Sequence, residues 1–265
     1  MSAATLWWSR HSRWAVLGAS GVVIIVLWEL AIGWFQVPAF MVPAPSRIVA
    51  EIFRSPAWLW GHTYQTILAT LLGFALAVVV GVAVALLIVY SRIAEDTVYA
   101  VLVALNSVPK VAIAPLFIIW VGTGFSSKVV MATLIALFPI VIDAVLGLRS
   151  IDPDLLDLSR SMGARPLGIL LKIRAPNALP SLFAGMKVAI SLALVGTIVG
   201  EFVASTAGLG YVILNAQSTF DTVRIFAALL ILSIIGTVLF FSIDLVERWL
   251  LPWHVSRRLD EVAGH

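Results

Sequence analysis

The sequence predicts an all-α integral membrane protein with six transmembrane helices and a short polar helix pair between the fourth and fifth spans. Three observations carry this. Hydrophobic residues make up 61% of the 265 residues and charged ones 12%, with a mean hydropathy of +1.06, far from the balance of a water-soluble domain. Apolar runs of about 20 residues, the length that crosses a bilayer core, recur along the chain. The basic residues fall in the connections between those runs, mostly on one side.

In order, residues 1–13 carry Arg10, His11 and Arg13 and no acid, and form a tail. The apolar run from about Trp14 to Phe35 exceeds the roughly 7–15-residue core of a secretory signal and lacks a clear cleavage site, so an uncleaved first span is expected. Pro38, Pro43 and Pro45 forbid a continuous helix next, and a short interfacial helix is expected from Ser46, its cap, to Arg54. The second span, about His62 to Tyr90, sets Gly73, Ala77, Gly81 and Ala85 at four-residue steps. Such a stripe lets another backbone come close in lipid; the plainer reading is that small residues are common in spans. Ser91 to Asp96 turns the chain. The third span, about Thr97 to Val121, places Asn106, Lys110 and Ala114 on one face, while Pro109 and Pro115 free carbonyls that a neighbour or water must satisfy. This span is expected to border a cavity. Gly122 to Lys128 reads as a loop, and the fourth span extends to about Leu148 with Pro139 and Asp143 inside it.

The stretch from Asp152 to Pro180 is the only long segment whose charges come in mixed clusters. Asp152 suits a helix cap, Pro153 the first helical position, Gly163 a positive-φ terminator and Pro166 the first turn of a second helix carrying Leu167, Leu170 and Leu171. Pro176 is expected to close that second helix. The fifth span, about Ser181 to Val203, repeats the stripe with Gly185, Ala189, Ala193 and Thr197 and ends on Glu201. Ala204 to Asp221 reads as an outer-face or re-entrant element, and the sixth span runs from about Val223 to Leu251. The spanning domain is thus 14–251, with the polar pair at 152–180 inside it and a tail at 252–265.

The positive-inside rule orients the chain. Arg10, Arg13, Arg92, Arg149, Arg160, Arg165, Lys172, Arg174, Arg257 and Arg258 fall on one side; Arg47, Arg54 and Lys128 fall on the other, with Arg224 at its rim. The richer side is cytoplasmic, which puts both termini and the polar pair inside the cell. No cysteine is present, and His11, His62, His254 and His265 lack ligand spacing, so no metal site is expected. Basic residues in loops between spans orient a membrane protein rather than bind nucleic acid.

Asp157, Leu158 and Ser159, then Gly163, then Ile173, Arg174, Ala175 and Pro176 resemble the cytoplasmic signature of importer-type ABC permeases: Glu-Ala-Ala, three residues, Gly, nine residues, Ile-x-Leu-Pro. Gly163, Ile173 and Pro176 match outright, Asp157 keeps the acidic charge, and Leu158, Ser159 and Ala175 depart. Val108 to Gly122, VPKVAIAPLFIIWVG, is similar to the third span of nitrate, sulfonate and taurine importer permeases. The resemblance extends over nearly the whole chain from Trp28 onward. It implies the type I ABC importer permease fold and a bacterial inner-membrane location. It also implies a pathway made with a second copy of the chain, a cytoplasmic ATPase dimer gripping Asp157, Leu158, Ser159, Gly163, Ile173 and Pro176, and an extracytoplasmic solute-binding protein.

The chain has no glycine-rich phosphate loop and no catalytic constellation. It is therefore expected to be no enzyme and to bind no cofactor itself, with ATP and Mg held by the partner ATPase. The resemblance points to a small anion such as nitrate, a sulfonate or taurine; a neutral pyrimidine or flavin precursor is the alternative, and an ion-coupled secondary transporter is the reading from another class. Asn106, Pro109, Lys110, Pro115 and Glu201 are candidates for the pathway or its gate. Lys110 either lines the pathway or contacts a carbonyl or acid; Glu201 either steadies the outer loop or gate or touches solute. Asp143 is expected to pair with an inside arginine.

Overall fold

The computed structural model describes residues 3–252, which fold into helices and short connections with no strand among them. In chain order the helices are α1 (Ala3–Phe35), α2 (Pro45–Arg54), α3 (Pro56–Tyr90), α4 (Arg92–Ala94), α5 (Ala100–Ser107), α6 (Lys110–Val121), α7 (Phe125–Arg149), α8 (Pro153–Ser161), α9 (Pro166–Ile169), α10 (Ala175–Ala204), α11 (Leu209–Ser218) and α12 (Thr222–Leu250). Two π-helical turns, Glu95–Tyr99 and Leu170–Arg174, lead into α5 and α10. Five helical stretches are long and apolar enough to cross a bilayer: Gly18–Phe35 of α1, α3, α7, Pro166–Val203 and α12. The third span is the broken pair α5 and α6. Pro109 has no N–H to donate and disfavours a helical residue before it, so the helix stops at Ser107 and restarts at Lys110. The C-terminal tail lies outside the described residues from residue 253 onward.

The chain divides into two compact units. In the unit made of residues 60–211 and 232–251, α7 runs between α3 and α10. The stripe residues Ala77 and Ala85 of α3 and Ala189, Ala193 and Thr197 of α10 are fully buried, as are Ala132, Ala136 and Ile140 of α7. The glycines explain how close the backbones come. A Cβ at Gly73 would overlap Ala132, one at Gly81 would lie 2.7 Å from Ile140 Cγ2, and one at Gly196 would lie 2.7 Å from the Ala132 Cα. Further along α7, Gly147 meets the Ala178 backbone. Lipid tails are as apolar as leucine, so helix association in a bilayer depends on this kind of close contact. Both stripes are therefore used within the chain.

The second unit comprises 1–59, 212–231 and the C-terminal residues. Here α2 starts at Pro45, one residue earlier than the sequence suggested, with Ala44 as its N-cap. Ser46 does not cap it. Instead Ser46 N–H and Oγ both donate to the Glu29 carboxylate of α1, at 3.0 and 2.7 Å, so the helix start is capped from another helix. Arg224 binds Glu51 at 3.1 Å and stacks over Trp58, and Thr222 Oγ1 donates to the Phe40 carbonyl.

Because the Gly196 Cβ would meet backbone rather than a flexible side chain, Gly196→Ala is expected to cost about 1–3 kcal/mol. Gly168→Ala faces open space and should be neutral or stabilising by up to about 1 kcal/mol. Thermal melts of the two variants in the same detergent check the contrast; equal melting temperatures would contradict it.

Candidate functional site

Four places in the chain carry chemistry that bulk lipid does not explain, and the first is the polar pair. Asp152 accepts from the Asp154 N–H at 2.9 Å, and Pro153 sits in the first turn of α8. At the other end Gly163 takes φ +78°; its N–H donates to the Arg160 carbonyl and the Ala164 N–H to the Ser159 carbonyl, which together form a Schellman stop. None of α8 is buried. Leu158 of α8 is 57% exposed and Met162 at its C-cap 79% exposed, so this end of the helix presents apolar surface. Among the described residues the Asp157 carboxylate pairs with Arg160, at 3.1 Å. Nearby, Arg149 donates to Glu95 at 2.8 Å and holds the Glu95 carboxyl below the usual carboxylate range.

Pro176 does not end the second helix. The chain runs helically from Pro166 through the π turn into α10, so that the helix pair continues directly into the fifth span. A proline ring normally collides with the carbonyl four residues back, here that of Lys172. The π turn over Leu170–Arg174 shifts the hydrogen-bond register at that point, which lets the helix pass the ring. Ile173 and Pro176 are half-buried at this joint, while Asp157, Leu158 and Gly163 are exposed on α8 with Ser159 half-buried beside them.

The second place is the break in the third span. Lys110 Nζ donates to Asn106 Oδ1 at 2.6 Å and lies 5.7 Å from the centre of the Phe138 ring. Among the described residues no carboxylate pairs with it. It occupies the first position of α6, where the positive end of the helix dipole adds to its charge. Pro109 sits in the break itself and Pro115 within α6.

The third place is the end of both small-residue stripes. Glu201 is fully buried; it accepts from Thr66 Oγ1 at 2.8 Å and the Gly210 N–H at 2.7 Å, with Lys128 Nζ 3.6 Å away. Lys128, 3% exposed, also donates to the Ala207 carbonyl at 2.5 Å. Thr66 Oγ1 accepts from the Leu209 N–H, His62 Nδ1 from the Gly208 N–H, and Thr70 and Thr197 join at 3.0 Å. The sequence reading put Lys128 in a loop. It lies instead in the first turn of α7, which begins at Phe125, and its charge is buried because α10 supplies the acid.

The fourth place is an ion cluster between α10 and α12. Lys187 Nζ lies 2.5 Å from both Asp244 and Glu247, and Arg248 meets Asp244 at 2.8 Å. None of these four was singled out from the sequence, although two acids three residues apart in an apolar run are a readable signal of an interhelical partner. Thr66 and Thr70 continue the Gly73 stripe at helical spacing and were equally readable. Asp143 lies beside Gly185 and pairs with no arginine among the described residues; Arg149 is taken by Glu95.

The unit of residues 60–211 and 232–251 thus combines apolar spans, an exposed capped helix and ion pairs held between spans. The chain belongs to the family described as the binding-protein-dependent transport system inner membrane component, whose model matches residues 77–253. It is thus an ABC importer permease. It is 37% identical to the riboflavin transport system permease RibX of Chloroflexus aurantiacus, over 93% of this chain and 94% of that one. It is 33% identical to the formylaminopyrimidine transport permease ThiX of Halalkalibacterium halodurans (88% and 93%). It is 32% identical to the putative aliphatic sulfonates transport permease SsuC of Bacillus subtilis (88% and 86%). A structure of the MetNI methionine ABC transporter in an inward-facing conformation matches with a TM-score of 0.63 at 24% identity, over 74% of this chain and 97% of that one; this likeness supports the fold.

Removing one partner of a buried ion pair strands the other charge, at a cost of about 3–5 kcal/mol. Lys128→Met and Glu201→Gln are each expected to lower stability by that order. The double variant should recover most of the loss, since the amide still accepts from Thr66 and Gly210. Denaturation of the parent and the three variants in matched micelles reads the cycle, and simple additivity of the two losses would refute the pairing.

Proposed function

We propose that two copies of this chain form the translocation pathway for a small anion such as nitrate, a sulfonate or taurine in a bacterial cytoplasmic membrane, with both termini and α8 on the cytoplasmic side. A cytoplasmic ATPase dimer, which binds the ATP and Mg, grips α8 through Asp157, Leu158, Ser159 and the Gly163 turn. Ile173 and Pro176 lie at the joint that carries its motion into α10. A solute-binding protein delivers the solute to the opposite face. Closure of the ATPases shifts the pathway between its two openings, the differential contact at α8 supplying the bias.

The observation that carries the anion class is Lys110: an ammonium group without a carboxylate partner among the described residues, at the positive end of α6, in a proline-broken span flanked by Asn106, Pro109 and Pro115. Low dielectric strengthens its pull on a passing anion. A neutral vitamin precursor is the second reading, favoured by the relatives named for riboflavin and formylaminopyrimidine. Uptake of labelled taurine, an alkanesulfonate and riboflavin by proteoliposomes holding the full importer separates the two. Lys110→Ala should cut anion uptake by about tenfold or more, and Lys110→Arg should retain most of it. Riboflavin uptake that is indifferent to Lys110, with no anion uptake, would establish the neutral reading instead.

The α8 assignment has its own test. Gly163 has positive φ and open space within 4 Å of where a Cβ would sit, so Gly163→Val acts through backbone strain alone. It should uncouple ATP hydrolysis from transport, and Gly163→Asn, which tolerates that conformation, should be milder. A Gly163→Val importer with normal coupled transport would remove α8 from the coupling path.

A further inference from the structure

We propose that Lys128 and Glu201 are positioning residues of the transport cycle: they hold the Ala207–Gly210 turn on α3 and α7 throughout, so that these ends of α3, α7 and α10 do not part when the pathway opens. The proposal rests on the reading of the chain as a pathway subunit. Its basis is how completely the turn is held. The N–H groups of Gly208, Leu209 and Gly210 go to three side chains from two other elements, His62 and Thr66 of α3 and Glu201 of α10. Lys128 of α7 takes the Ala207 carbonyl just before them. Gly208 has φ +112°, and the Glu201 carboxylate fills the space where its Cβ would be, so the turn and the acid are matched in shape as well as charge.

One turn along, Thr70 and Thr197 tie α3 to α10 a second time. Drawing any of the three helices away leaves a buried charge or backbone N–H without a partner, and each such group opposes the motion. The α5–α6 break has no clasp of this kind among the described residues. Opening on this side therefore takes place away from the α3–α7–α10 ends.

The chain contains no cysteine, so Thr70→Cys with Thr197→Cys, whose hydroxyls are 3.0 Å apart, gives a clean cross-linking pair within disulfide reach. The assembled permease–ATPase complex is oxidised with copper phenanthroline, nucleotide-free and vanadate-trapped. The disulfide is expected in both states to the same extent, with ATP hydrolysis by the oxidised complex within about twofold of the reduced one. A cross-link confined to one state, or hydrolysis blocked by oxidation and restored by reductant, would overturn the proposal.

Amide exchange supplies a second measurement on the unmodified complex. Gly208, Leu209 and Gly210 should stay protected in both states, and Glu201→Gln should speed their exchange by about tenfold or more while Ala132 to Ile140 stays protected. Loss of protection at the three amides in one state of the unmodified complex, or a uniform loss across α7 in the variant, contradicts a positioning role. A complex that fails to hydrolyse ATP at all would count against the pathway-subunit reading, whereas the exchange pattern bears on the clasp alone.

Discussion

In hydrocarbon a helix gains nothing by hiding leucines against another helix, so what fixes this bundle is the bare backbone that α3 and α10 offer to α7. Gly73 and Gly81 on one flank, and Gly185, Gly196 and Gly200 on the other, leave no room for a methyl group against α7. Contacts at that range make dispersion and packing favourable where the hydrophobic effect is silent. The register they impose brings the far ends of both stripes together. Without it Lys128 and Glu201 would each be a charge buried in lipid alone.

The ion pairs are consequences of that register rather than its cause. A buried pair contributes little net stability because both charges lose water, but it penalises every arrangement that separates them. Lys128 with Glu201 penalises separation at one end of the unit, and Lys187 with Asp244 and Glu247 penalises it between α10 and α12. Lys110 is treated differently: it has an amide and an aromatic ring. Among the described residues it has no carboxylate partner, unlike Lys128 and Lys187, and the proposed anion reading rests on that difference.

Much of this was legible in the sequence. Both small-residue stripes, the Asp152 cap, the Gly163 stop, the proline break at Pro109 and the shared face of Asn106 and Lys110 follow from local rules, and the structure shows each of them. The misreadings came where another helix changes the local rule. Ser46 is a sound cap by type, yet Pro45 starts the helix earlier and Glu29 takes the N–H. Pro176 would stop an α-helix, but a π turn changes the register beneath it. Lys128 follows two serines and a glycine and so reads as a loop; only the acid at the distant Glu201 makes its burial in α7 tenable. Sequence periodicity reports the face of a helix, not the neighbour that face meets.

Bare glycine backbone of α3 and α10 packed directly on α7 sets the bundle, and a double-mutant cycle at Gly81 and Ile140 is its sharpest test. A Cβ at Gly81 would lie 2.7 Å from Ile140 Cγ2, so Gly81→Ala should destabilise by about 1–3 kcal/mol and Ile140→Ala by about 2–5 kcal/mol. The space vacated by isoleucine accommodates the new methyl group, so the double variant should be more stable than the sum of the two losses predicts, by at least about 0.5 kcal/mol. Strict additivity, or a Gly81→Ala protein as stable as the parent, would contradict the account.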